Sequence, residues 1–281
     1  MSGAALRPNP VRETLLSGGI SIGPMVFEFF TPGLFAICKQ AGADFVLLDM
    51  EHSGVGMDTI RLQLAAARGT GVAPLVRVPG NAYHLIAPVL DAGAFGIMVP
   101  LIEEREQAEE FANACRYRPE GRRGVGFSVA HDDYAAGEVP PKIREANART
   151  LVIALIESER GIRNADRILS VPGIDVGWLG HYDLTDSMGF TGDFERPEFH
   201  AAVDALLGAC DRHGKVPGVL ATTVAQTLAW RRRGFRCLAY GGDVGLFRDA
   251  LAEGIRAVRA ELADRPAAAS ATLRRGGSPP R

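Results

Sequence analysis

The sequence predicts a single-domain α/β protein built as a (β/α)8 TIM barrel, on two observations. Eight short, almost uninterrupted apolar runs recur along the chain, and segments of helical periodicity separate them. Runs without polar alternation suit parallel strands covered on both faces, and regular strand–helix alternation marks repeated βα units. An open doubly wound sheet would show the same alternation, but no Gly-x-Gly-x-x-Gly follows the first run to build a dinucleotide site.

The expected strands are ISIGPMVF (20–27), FVLLDM (45–50), APLVRV (73–78) and FGIMVP (95–100), then LVIALIE (151–157), VGWLG (176–180), VPGVLA (216–221) and CLAYGG (237–242). Between them, helices are expected; in the last, Phe247, Leu251, Ile255, Val258 and Leu262 recur at helical spacing. Pro88 falls inside the expected helix 82–92 and predicts a bend, because an interior proline removes one backbone hydrogen bond. Residues 117–150 are too long for a simple connection and read as an insertion with its own helix near 142–148. Residues 1–15 read as an N-terminal tail, 16–263 as the barrel, and 264–281, without apolar periodicity, as a disordered C-terminal tail.

Composition narrows the partners. A formal charge of -2 gives no electrostatic case for nucleic acid or an anionic membrane. The N-terminus lacks an apolar run behind a basic start, and no stretch of about eighteen apolar residues is free of charge. Cys38, Cys115, Cys210 and Cys237 form no Cys-x-x-Cys pair and read as free thiols of a reducing compartment, so a cytoplasmic protein is expected.

A (β/α)8 barrel builds its active site at the C-terminal ends of its strands. Asp49, Glu51 and His52 close the second expected strand, Arg77 lies near the end of the third, Glu157 ends the fifth, and Asp183 lies just past the sixth. Charges ending apolar runs are costly to bury unless paired or coordinated, so these groups are expected to converge. A carboxylate pair facing an opening needs a cation or a proton, and oxygen ligands suit Mg2+ or Mn2+. Glu157 and Asp183 could equally be ion-pair partners of Arg77. Lys39, Lys142 and Lys215 are the only lysines, and none lies at a strand's C-terminal end, which argues against a Schiff-base aldolase.

The runs LLDMEH (47–52), LVRVPG (75–80), LDAGAFGIMVP (90–100), GVGFSVA (124–130), IES (156–158) and DLTDSMG (183–189) resemble, in order and spacing, the HpcH/HpaI aldolase family, metal-dependent 2-oxo-acid aldolases related to the citrate lyase β subunit. The resemblance implies that Glu157 and Asp183 bind a divalent metal (Mg2+, Mn2+ or Co2+). It makes His52 the catalytic base and Arg77 the group that holds the 2-oxo acid and its enolate. Asp49, Glu51 and Asp91 match acidic positions supporting the histidine or the metal's waters. Substrate contacts fall on Arg77, on Gly180, His181 and Tyr182, and on Ser128. Two departures stand out: Leu155 replaces a glutamine, and His181 and Tyr182 replace a Pro-x pair, which would narrow the site, alter substrate choice or add a proton donor.

The implied reaction cleaves a 4-hydroxy-2-oxo acid to pyruvate, or a close 2-oxo acid, and an aldehyde. The implied assembly is a homohexamer, a trimer of dimers that exchange their last helix, with no nucleic-acid or membrane partner. Two other readings are a citrate-lyase-like enzyme acting on an acyl-CoA, for which Arg116, Arg118, Arg122 and Arg123 would offer a basic cluster, and a non-catalytic metabolite-binding relative.

Overall fold

Eight parallel strands close on themselves in sequence order, each hydrogen-bonded to the next and β8 returning to β1, in the computed structural model, which describes residues 6–263. They are β1 (Ser21–Val26), β2 (Phe45–Asp49), β3 (Ala73–Arg77), β4 (Gly96–Val99), β5 (Leu151–Ile156), β6 (Val176–Leu179), β7 (Val216–Ala221) and β8 (Cys237–Gly242). Each lies within its expected run, trimmed by no more than two residues at either end.

The apolar runs have no polar alternation because both faces of the sheet are covered. Inward-facing Phe45, Leu47, Leu75, Met98, Ile153, Leu155 and Trp178 fill the barrel, while Val46, Leu48, Val76, Ile97, Val152 and Leu179 pack outward into a second core. Trp178 fits because its neighbour on β7 is glycine. A Cβ on Gly218 would lie 2.4 Å from the indole ring.

The helices of the outer layer are α2 (Leu34–Gln40), α3 (Met57–Ala66), α4 (Tyr83–Asp91), α5 (Arg105–Cys115), α6 (Val139–Arg149), α7 (Glu159–Arg163), α8 (Ala165–Leu169), α9 (His181–Ser187), α10 (Pro197–Arg212) and α11 (Val224–Arg233). Pro88 sits inside α4 on its solvent-facing side, where the carbonyl it leaves unpaired can reach water. The insertion carries a 3-10 turn at Ala130–Asp132 and then α6, somewhat longer than the expected segment.

One expectation is corrected at the N-terminus. Residues 10–15 are not tail: α1 (Pro10–Leu16) inserts the buried Val11 and Leu15 into the interior cluster beneath the barrel. Asn9 caps it, its side-chain amide donating to the carbonyls of Phe95 and Arg149. The segment is too short, and too rich in proline and charge, to show an apolar period. The expected C-terminal tail lies outside the described residues. The four cysteines are buried and unpaired, and no described helix is long and apolar enough to cross a membrane.

The compact unit that holds the barrel ends at Val244. From Gly245 the chain forms a second unit, most of the 21-residue helix α12 (Asp243–Ala263), on which Leu251, Ile255, Val258 and Leu262 are exposed.

Candidate active site

Strand polarity decides which charges meet. Every strand of a parallel barrel ends on the same face, so Asp49, Arg77 and Glu157, at or just beyond the ends of β2, β3 and β5, share one mouth. Asp49 is fully buried there and accepts from three donors: the backbone N–H groups of Glu51 (3.1 Å) and His52 (2.9 Å), and Arg77 Nε (2.6 Å). Its own carbonyl accepts from Ser53 Oγ. One carboxylate thus fixes both the turn bearing His52 and the guanidinium of the neighbouring strand.

Arg77 Nη1 lies 3.0 Å from Glu51 Oε2, yet that oxygen is buried without an aligned hydrogen-bond donor. Its charge is compensated while its lone pairs are not, and burial raises the Glu51 pKa against the opposing pull of Arg77. His52 is exposed at the rim, its Nε2 3.9 Å from the same Glu51 oxygen.

Glu157 is the most perturbed carboxylate of the mouth. Burial pushes its pKa up to about 7, the Leu101 N–H opposes this, and the charges of Asp183 and Glu51 add to the rise. Its Oε1 accepts from Leu101 at 2.9 Å, and its Oε2 lies against Gly180. A Cβ on Gly180 would come within 2.4 Å of Glu157 Cβ and 2.6 Å of Oε2, so only glycine leaves this carboxylate room. Leu101 meets Glu157 from a left-handed backbone, φ 54°, which costs a leucine about 1 kcal/mol or more. Asp183 stands exposed in the first turn of α9, and its charge raises the pKa of both Glu157 and Glu51.

Leu155 is buried in the barrel interior and contributes an apolar floor below Glu157 and Gly180. His181 turns away from the carboxylates. Its ring packs 4.9 Å from Tyr182, 5.2 Å from Phe194 and 6.4 Å from Trp230, and burial lowers its pKa to about 4, keeping it neutral at pH 7. Tyr182 stays exposed at the mouth, edge-on to Phe194.

Two expected site residues are not brought to this mouth within their own chain. Asp91 is the last residue of α4, and a helix that follows a strand runs back to the opposite end of the barrel. There its carboxylate pairs with Arg123 at 2.5 Å. Ser128 belongs to the insertion between α5 and β5, both of whose ends lie at that opposite face, and it bonds Asp132 and the Ala135 carbonyl. Both placements follow from chain direction, a signal already present in the order of the elements.

The expected basic cluster also dissolves. Arg116 is buried against Asp175, and Arg123 lies over the Tyr117 ring as it pairs with Asp91, leaving only Arg118 and Arg122 exposed. The lysines stand clear of the mouth: Lys142 is buried against Asp132, and Lys215, before β7, donates to the Val171 and Ile174 carbonyls. Lys39 is near the end of α2.

One carboxylate at the rim of the mouth escaped the sequence reading. Asp243, directly after β8, accepts from the backbone N–H groups of Phe27 (3.0 Å), Glu28 (2.9 Å) and Phe29 (2.7 Å), and so ties down the turn after β1 at the mouth's rim. An acid immediately behind the Gly-Gly that ends the eighth apolar run was the available signal.

The model of the HpcH/HpaI aldolase/citrate lyase family matches residues 26–250. A 5-keto-4-deoxy-D-glucarate aldolase of Klebsiella pneumoniae is 33% identical over 246 residues, covering 88% of this chain and 95% of the relative. The crystal structure of an HpcH/HpaI aldolase from Desulfitobacterium hafniense superposes with a TM-score of 0.85 at 28% identity, over 94% of this chain and 99% of that one. A family protein from Burkholderia cenocepacia gives 0.83 at 29% identity, over 89% and 99%. The chain belongs to the HpcH/HpaI aldolase/citrate lyase family and is an enzyme of the carbon–carbon lyase class.

Proposed function

We propose that the barrel mouth cleaves a 4-hydroxy-2-oxo acid to pyruvate, or a close 2-oxo acid, and an aldehyde, with a divalent metal held by Glu157 and Asp183. The observation that carries this reading is the charge imbalance of the mouth. The charge of Asp183 raises the pKa of both Glu51 and Glu157, and that of Glu51 adds to the rise at Glu157, while among the described residues Arg77 is the guanidinium that opposes both. A cation relieves this imbalance, and the buried Glu51 oxygen without a donor marks where it is felt. Among the described residues no three His, Cys, Asp or Glu side chains cluster in ligand geometry, so two carboxylates plus water and substrate would complete the shell, a pattern that suits Mg2+ or Mn2+.

The relatives' substrate fits the same chemistry. Numbered from its keto end, 5-keto-4-deoxy-D-glucarate is a 4-hydroxy-2-oxo acid. His52, exposed at the rim, takes the proton of the C4 hydroxyl. The C3–C4 bond then breaks, its electrons pass to the C2 oxygen, and an aldehyde and the enolate of pyruvate separate. Arg77, oriented by Asp49, supports the negative oxygen as it develops, and its Nη2 makes no hydrogen bond within the described residues. Protonation at C3 yields pyruvate. A bound divalent cation supplies the Lewis-acid charge that makes this enolate affordable near neutral pH.

Assembly is read from two exposed surfaces. The apolar stripe Leu251, Ile255, Val258 and Leu262 on α12 needs cover, and Ile37 on α2 with Val224 and Leu228 on α11 exposes apolar surface on either side of the β8–β1 seam. A homo-oligomer that exchanges its last helix satisfies both; light scattering behind gel filtration tests it, and a monomer would refute it.

The decisive experiment follows pyruvate release from a panel of 4-hydroxy-2-oxo acids after chelation, with and without added Mn2+. Metal-dependent release is expected. Bound metal with silence across the panel, including 5-keto-4-deoxy-D-glucarate, would overturn the aldolase reading.

A further inference from the structure

Leu101 occupies a backbone that a leucine pays to enter. Its neighbours Pro100 and Ile102 are both buried. The chain between them is strapped to β5 by two bonds, Leu101 N–H to Glu157 Oε1 at 2.9 Å and Ile102 N–H to the Leu155 carbonyl at 3.1 Å. The strap accounts for the left-handed φ of 54°. It does not account for the residue type, because glycine would adopt the same φ without strain and present the same N–H. Nor does core packing, since the side chain is 55% exposed. A strained residue whose side chain serves neither backbone nor core points to contact with a ligand.

The surroundings indicate which part of the ligand. β4, β5 and β6 are consecutive in the barrel, and at the mouth they present Leu101, then Glu157, then the exposed Tyr182. On the proposed function, the carboxylate and enolate oxygens of a 2-oxo acid are accounted for by Arg77 on β3 and by the cation that Glu157 and Asp183 would hold. What remains beyond the C3–C4 bond is the aldehyde half.

Building on the aldolase reading above, we propose that Leu101 is a specificity-determining residue: its side chain forms an apolar wall against which the aldehyde half of the substrate rests. The wall and the Glu157 bond come from one residue, so the acceptor is placed directly beside the carboxylate that faces the pyruvate half.

The test condenses pyruvate with propanal or with glycolaldehyde, which differ by a methyl against a hydroxyl at similar size, using the intact protein loaded with Mn2+. Leu101→Gly keeps the left-handed backbone and the N–H while removing the wall. The kcat/KM ratio of propanal to glycolaldehyde should fall about tenfold or more, the scale of one apolar group in a binding pocket. Leu101→Met should restore it. Leu101→Gly should unfold at no lower a temperature than the wild type, since it relieves the backbone strain, and should titrate Mn2+ as the wild type does. An unchanged ratio overturns the proposal, and so does a loss of Mn2+ affinity, which would make Leu101 a support of Glu157 alone. Exchange of the pyruvate methyl protons with deuterated solvent by the wild type keeps these outcomes separate from the aldolase reading. Without that exchange, the aldolase reading fails and takes this one with it.

Discussion

The two ends of the barrel handle buried charge in opposite ways. At the end where the strands begin, Asp175 is enclosed by Arg12 (2.8 Å), Arg116 (3.1 Å) and the Val152 N–H (3.0 Å), and Arg116 also donates to the Asn147 and Gly173 carbonyls. There charges are matched, and their role is to hold α1, the insertion and β6 together. At the end where the strands finish, Asp49, Glu51, Glu157 and Asp183 face Arg77, and Glu157 titrates near 7. Two ends built by one chain, from the same residue types, differ in whether the charge is settled within the protein. The matched end holds elements together, and on the function proposed above the unmatched end is the one a cation would neutralise.

The largest effect that would break this contrast comes from removing the unmatched pair. Glu157→Ala with Asp183→Ala should abolish stoichiometric Mn2+ binding and metal-dependent pyruvate release while leaving the fold intact by circular dichroism. Calorimetric titration that still finds one Mn2+ per chain would move the site elsewhere.

The matched end should answer in stability instead. Asp175→Ala strands two arginines, one of them buried, and is expected to cost about 3–5 kcal/mol of unfolding free energy, with no change in Mn2+ affinity. Equal losses in stability and metal binding would erase the distinction between the ends.

Arg77 touches both roles, because it is paired within the protein and, in the proposed mechanism, faces the developing enolate. Arg77→Ala should lower kcat/KM by about 10²–10³ and retain Mn2+. Arg77→Lys, which keeps the charge over Asp49, should recover stability more than rate. Wild-type turnover by Arg77→Ala would remove it from the mechanism.

The mildest test is pH. The folded pKa of Glu157, about 7, lies above its ordinary 4.5, so the metal-free folded state holds this proton more tightly than the unfolded chain does. Stability is therefore greatest below about pH 4.5 on this group's account and falls as pH rises toward 7, by on the order of 3 kcal/mol. Glu157→Gln should flatten that fall, and saturating Mn2+ should reverse it in the wild type. Midpoints of thermal unfolding for the wild type and Glu157→Gln that run parallel between pH 5 and pH 8 without metal would contradict the raised pKa. His181 adds an opposite slope over nearly the same range, since burial lowers its pKa to about 4 and its protonation favours unfolding as pH falls below 6.5, so the Glu157 contribution is read as the difference between the wild type and Glu157→Gln.

Much of this contrast was legible in the chain. Continuous apolar runs require a covered parallel sheet, and a charge closing such a run has to lie at one end of it, which is why Asp49, Arg77 and Glu157 stand out in the sequence itself. What the motifs did not carry was chain direction. Asp91 and Ser128 lie in stretches that resemble the family as clearly as the others do, yet a helix end and a helix-to-strand insertion belong to the opposite face. His181 shows a different limit. Its position beside Asp183 is a matter of sequence, but the choice between mouth and interior was made by Phe194, Phe199 and Trp230, which no local pattern connects to it. The capping helix α1 was missed because two buried side chains in seven residues make no periodic signal.

The bonds from Asp243 to the turn after β1 join residues more than two hundred positions apart. During synthesis, strand β1 emerges early with its outer edge unpaired, and nothing can complete it until β8 and the acid behind it have left the ribosome. Contacts of such separation form late in folding. The rim therefore cannot be completed before β8 and the acid behind it are available, and the amides of Phe27, Glu28 and Phe29 should be among the last to gain protection from hydrogen exchange during refolding.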